Sequence, residues 1–147
     1  MPAYSFLNTA CALTGPGGSL NLGSGAAVAE EGIIITPTNP IDTMVIGADG
    51  TPMHSLHGDR SGKISIKLLK TSPLNQKLAQ MYAMQTSSAA NHGQNNITLV
   101  NSITQDTISC TLVAFEKAPD LTYAKEAGLN EWTFLAGTID RTLGAVA

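Results

Sequence analysis

Charge is scarce in this sequence: of 147 residues only 13% are Asp, Glu, Lys or Arg, against about 25% in an ordinary globular domain. A freely diffusing monomer is kept apart from its neighbours largely by charge, so the shortage fits a surface covered in an assembly, and equally a low-charge soluble β domain. Long apolar runs are missing too. No stretch approaches the ~20 apolar residues of a membrane span, and MPAYSFLNTACALTGPGG carries no basic region leading into an apolar one. The expectation is a protein with no membrane partner that folds in the cytoplasm. Cysteine is limited to Cys11 and Cys110, which permits one disulfide but no disulfide framework or zinc site; two reduced, buried thiols are expected.

The motifs of chemistry are absent as well. Gly62-Lys63 has His57 in place of the first P-loop glycine and Ile64 in place of the magnesium-binding Ser or Thr, and Lys63 opens a strand-like run. Gly23-Ser24-Gly25-Ala26-Ala27-Val28 lacks the third glycine of a dinucleotide fingerprint and its βαβ setting. His54, His57 and Asp59 make an H-x-x-H-x-D cluster, but a zinc-protease helix needs histidines four apart with an adjoining glutamate, so surface loop histidines are expected. There is no G-x-S-x-G elbow, and pairing a cysteine with one of three histidines is arbitrary. The expectation is a protein that is not an enzyme and that holds no cofactor and no metal.

What is present reads as one mostly β domain. Short runs broken by Gly, Pro, Asn and Asp have the spacing of a sandwich or barrel. Strands are expected at residues 4–13, closed by Gly15-Pro16-Gly17-Gly18, and at 32–36, 43–46, 63–70, 97–103 and 107–115. A last hairpin is expected between 120–124 and 131–139, around Gly128. In 63–70, Ile64, Ile66 and Leu68 share one face and Lys63, Ser65 and Lys67 the other, the period of a half-buried strand. Ser72-Pro73 then offers a cap followed by proline at the first helical position, and Leu74, Leu78, Met81 and Tyr82 recur at helical spacing. One amphipathic helix is expected from Pro73 to about Ser88.

Charge is segregated along the chain. The residues up to Asp59 are acidic where charged (Glu30, Glu31, Asp42, Asp49, Asp59), and a basic block follows: Arg60, Lys63, Lys67, Lys70 and Lys77. No aromatic residue is interleaved with that block and the net charge is −3, so pairing with acidic loops is a more economical reading than nucleic-acid binding.

The stretch GADGTPMHSLHGDRSGKISIKLLKTSPLNQKL (residues 47–78), continuing in MYAMQTSSAANHGQNNI and TYAKEAGLNEWTF (residues 122–134), resembles the tail tube proteins of contractile-tailed phages. That resemblance implies an antiparallel β-sandwich or barrel-like protomer with one flanking helix, six protomers to a ring and rings stacked into a conduit for DNA, as in type VI secretion tubes. It also implies a virion tail location, with sheath, baseplate and tape-measure proteins as partners. Another tail, baseplate or head-decoration role, or a small β-barrel ligand-binding domain, is the alternative. The long segment between Ile46 and Gly62 exceeds the needs of a hairpin. Gly47, Asp49, Gly50, Met53, His54, Leu56, His57 and Asp59 are therefore expected to form a loop reaching a neighbouring subunit. Glu30, Glu31 and Asp42 are expected to pair across subunits with Arg60, Lys63, Lys67, Lys70 and Lys77.

Overall fold

A computed structural model of the chain describes residues 9–22, 28–121, 123, 125 and 128–143. Nine strands and one helix follow in the order β1 (Thr9–Gly15), β2 (Gly18–Asn21), β3 (Val28–Pro37), β4 (Asp42–Ile46), β5 (Pro52–Leu56), β6 (Gly62–Leu69), α1 (Leu74–Thr86), β7 (Asn95–Asn101), β8 (Asp106–Lys117) and β9 (Leu129–Thr142). The fold class is the expected one, mostly β, antiparallel, with a single helix among the described residues. The two sheets are very unequal. Seven strands run in the order β2-β1-β7-β8-β9-β6-β3, and β4 with β5 forms a separate two-stranded ribbon.

One face of the large sheet carries the core. Alternation puts Cys11 and Leu13 of β1, Ile64, Ile66 and Leu68 of β6, Ile97 of β7, and Trp132, Phe134 and Ala136 of β9 on that face, all buried. Phe115 stands at the centre of an aromatic group, 4.8 Å from Phe134, 5.6 Å from Tyr82 and 5.9 Å from Trp132 between ring centroids. Such edge and tilted contacts add to area burial. Both cysteines are free and buried, as expected. Burial pushes the Cys11 thiol up to about 12 and that of Cys110 to about 11.

Helix α1 covers the core with Leu78, Met81 and Gln85. Leu74 N donates a long 3.3 Å bond to Ser72 Oγ, the weak remnant of the expected cap. Asn75 ties the helix start to the sheet: its Nδ2 donates to the Leu69 carbonyl (3.0 Å) and its Oδ1 accepts from Trp132 Nε1 (3.0 Å). Near the other end of the helix, a buried amide pair does the same. Gln85 Nε2 donates to Asn95 Oδ1 (2.7 Å) and to the Pro16 carbonyl (2.8 Å), and Asn95 Nδ2 donates back to Gln85 Oε1 (2.5 Å). A side chain on Gly15 would overlap the Asn95 amide, so glycine is required at this crossing.

Two expectations are corrected. The segment after Ile46 is no open loop, because residues 52–56 form β5 and pair with β4 in register from Asp42↔Leu56 to Ile46↔Pro52. No strand forms at Asp120, Leu121 or Tyr123, so the final hairpin fails there. Strand β9 instead pairs with β8 on one side and β6 on the other. The first strand begins at Thr9 among the described residues, and positions 4–8 of the expected run lie outside them. Positions 23–27 of the glycine cluster also lie outside.

Candidate assembly surfaces

Strands β4 and β5 make an arm. Their substantial contacts are with each other, and every residue in both is exposed. The arm closes through a turn at residues 47–50, with Gly50 N bonded to the Gly47 carbonyl (2.9 Å) and Gly50 at φ +87°. That left-handed geometry is open to glycine at little cost. Asp49 Oδ1 accepts from Thr51 N (3.0 Å), and this bond chiefly holds the Asp49 carboxyl below its usual value.

The arm is apolar where water should see polar groups. Met44, Val45, Ile46, Met53 and Leu56 are all more than half exposed, with Leu56 at 78%. A solvated antiparallel ribbon normally has one polar face and one face packed on a core, and among the described residues neither face of this ribbon is covered. Its remaining side chains are spent on its own geometry: His54 Nδ1 donates to Asp42 (2.8 Å), and Thr43 Oγ1 and His57 Nε2 lie 2.5 Å apart. At the root, Asp59 accepts from Ser61 Oγ (2.5 Å), Asn39 Nδ2 (2.8 Å) and Ser61 N (2.9 Å). Ser61 and then Asn39 pull the Asp59 carboxyl from 3.8 to about 2.

The H-x-x-H-x-D side chains take different hydrogen-bond partners: His54 meets Asp42, His57 meets Thr43, and Asp59 meets Ser61 and Asn39. Among the described residues no group of three ligand-type side chains stands close enough to hold a metal ion. A cleft of about 480 Å³ lies at the arm's root, between Asn39, Asp59, Arg60, Ser61 and Arg141. It sits where the arm leaves the sheet.

The large sheet's other face is nearly neutral and mixes small side chains with exposed Ile34, Val100 and Leu135. Ala10, Ala12, Thr14, Asn96 and Thr98 are exposed along β1 and β7. Lys63 and Lys67 also stand on it, and each finds a carboxylate in its own chain. Lys63 Nζ lies 3.0 Å from Glu116 and Lys67 Nζ 3.7 Å from Glu131. The lysine beside Glu116 holds that carboxyl below its usual value. Lys70 has its ammonium over the Tyr123 ring at 3.7 Å, inside the range of a cation–π contact. Glu30 and Glu31 fall in the part of β3 whose side chains lie outside the described residues.

Residues 1–144 match the family described as bacteriophage PhiTE tail tube protein. The chain belongs to that family. This PhiTE tail tube family is one of structural proteins of the phage tail, not a class of enzymes. Among curated proteins nothing matches the sequence. Solved structures share the fold of this tail tube family member at very low identity. A chain of the anti-feeding prophage baseplate, six-fold symmetrised, superposes with a TM-score of 0.59 at 10% identity, over 97% of this chain and 96% of that one. The anti-feeding prophage tube-terminating cap gives 0.56 at 9% identity, over 98% and 93%. The sheath/tube terminator of an extracellular contractile injection system gives 0.54 at 14%, over 97% and 96%.

Two features of these surfaces escaped the sequence. The strand character of 52–56 is hidden by His54 and Ser55 inside a run flanked by glycines. The Gln85–Asn95 pair joins a helix to a strand ten residues on, and no period in the sequence marks it.

Proposed function

We propose that this tail tube protein forms hexameric rings that stack into the DNA conduit of a contractile tail, and that the β4–β5 arm makes the contact between subunits. The observation that carries the reading is the arm, a ribbon with five apolar side chains in water and no core of its own. An isolated two-stranded hairpin is marginal at best, so a partner must cover it. Strands β2 and β3 are the open edges of the large sheet, and edge pairing between protomers would close a ring and remove both edges. Edges point sideways and strand ends point along the strands, so edge pairing and the arm serve different directions of growth. Six protomers per ring agree with the six-fold symmetry named for the anti-feeding prophage baseplate.

The outer face of the large sheet suits a conduit wall. A wall of unpaired lysines would bind phosphate tightly, since 6 to 10 such contacts change affinity by roughly 10³ to 10⁵ between 50 and 200 mM salt. Here Lys63 and Lys67 are answered by Glu116 and Glu131, and small side chains along β1 and β7 lie on the same face as exposed Ile34, Val100 and Leu135. DNA would pass such a wall without specific binding. Arg60 and Lys77 belong to the block proposed to meet acidic neighbours. Sheath, baseplate and tape-measure proteins are the proposed partners, with assembly in the host cytoplasm.

Electron microscopy of the purified chain tests this: long hollow rods are expected. Deleting Gly50–His57 should leave a folded chain, judged by the fluorescence of the buried Trp132, that no longer polymerises. Normal rods from the deletion would refute the role of the arm.

A further inference from the structure

A head-to-tail stack needs a receptor for the arm, and the proposal that follows rests on the arm reading above. Strand β6 fixes where to look. Its first residue, Gly62, adjoins the arm's root, where Thr38 N bonds to the Ser61 carbonyl (3.1 Å) and Ile139 N to the Arg60 carbonyl (2.9 Å). Its last residue, Leu69, is paired with Leu129 at the opposite end of the sheet. Eight residues at about 3.4 Å each separate the two ends by about 24 Å.

The far end also exposes apolar side chains. Leu69 and Leu129 are over two-fifths exposed, Leu121 is 62% exposed and Tyr123 82%. Tyr123 is held by its ring on the Lys70 ammonium. An exposed tyrosine with its ring fixed loses little freedom on binding, and tyrosines are enriched among residues that dominate interfaces.

Charge matches as well. From Asp42 to Leu56 the arm carries Asp42 and Asp49 and no lysine or arginine, and at its root Asp59 stands with Arg60 and Arg141. The far-end segments carry Lys67, Lys70, Lys77, Lys117 and Lys125 against Asp120, Glu126 and Glu131, a basic excess in the sequence. An acidic apolar arm at one end and a basic apolar patch at the other are complementary within one sequence, which is what a heterologous contact requires. We infer that the patch of Leu69, Leu121, Tyr123 and Leu129, with Lys70 beside Tyr123, receives the β4–β5 arm of a second copy of this chain.

Two variants test it. The arm-lacking chain keeps the patch, and Leu121→Ser/Tyr123→Ser keeps the arm; both changed residues are exposed, so the core is untouched. Each variant alone should need about tenfold or more protein to form rods. Mixed together, they should give a finite complex by sedimentation, because one free arm meets one free patch and growth stops. Cross-linking supplies the geometry. Tyr123→Cys combined with Met44→Cys or with Met53→Cys, on opposite faces of the ribbon, should give a ladder of covalent multimers with a short bis-maleimide in at least one pairing. Cys11 and Cys110 are buried and stay silent. Serine variants that form rods at the wild-type concentration, or assembled rods without a ladder in either pairing, overturn the receptor while leaving the arm's role standing. Rods from the arm-lacking chain overturn the arm reading itself and the receptor with it.

Discussion

Replacing Gln85 by leucine separates shape from hydrogen bonding at the junction of α1, β7 and the β1–β2 turn. Gln85 and Asn95 are both fully buried and exchange two hydrogen bonds, with a third from Gln85 to the Pro16 carbonyl. Leucine nearly fills the glutamine's volume but strands both amide groups of Asn95. Each stranded buried group costs about 1–3 kcal/mol, so Gln85→Leu should cost about 2–6 kcal/mol. The double variant Gln85→Leu/Asn95→Ala removes both amides without adding volume beside Gly15, strands only the Pro16 carbonyl, which is less deeply placed, and should recover part of that loss. Equilibrium urea unfolding followed through Trp132, the one tryptophan, reads both variants. It should be run on the arm-lacking chain so that assembly does not add to the apparent stability. The midpoint should shift with little change in slope. A single variant no less stable than the double would refute the view that amide satisfaction, and not packing, holds this junction.

Gly15→Ala places a methyl group into the Asn95 amide and should lower stability by about 1–3 kcal/mol in the same unfolding assay. Asp59 has a depressed carboxyl, near 2, so the contribution of its turn is complete above its ordinary value of 3.8 and is lost as pH falls from there through about 2; a carboxyl NMR titration with a midpoint near 4 would contradict the root geometry. The two thiols, raised to about 12 and 11 by burial, should resist a thiol reagent in the native chain and both react in urea; rapid labelling of either in the folded chain would place it at the surface.

The fold was readable wherever burial imposes a period. Ile64, Ile66 and Leu68 alternate because β6 is covered on one face, and Leu78 and Met81 keep helical spacing because α1 covers that same face. Of the arm, β4 was expected at 43–46, but β5 leaves no periodic signal, since neither face of the ribbon is buried and apolar and polar residues need not alternate. The failed hairpin before β9 has a different cause. The turn-forming Gly128 is genuine punctuation, but β9 is claimed by β8 and β6, two partners distant in sequence. At the candidate surfaces, the residues from Gly47 to Asp59 were singled out by segment length alone, whereas the individual partners of the basic block were not legible. Lys63 and Lys67 meet Glu116 and Glu131, whose positions relative to β6 depend on strand order.

Strand order also sets a timetable. The last strand made, β9, lies inside the sheet, with β8, β7, β1 and β2 on one flank and β6 and β3 on the other. Until it emerges from the ribosome, the two flanks have no strand to join them, and the core lacks Trp132, Phe134 and Ala136. Each flank alone is an open sheet with an extra bare edge, the kind of species that aggregates. A chain shortened before Leu129 should therefore remain unfolded, and the subunit completes its sheet only after synthesis has reached its last strand. In rings of the kind proposed above, that order would keep incomplete chains out of the growing structure.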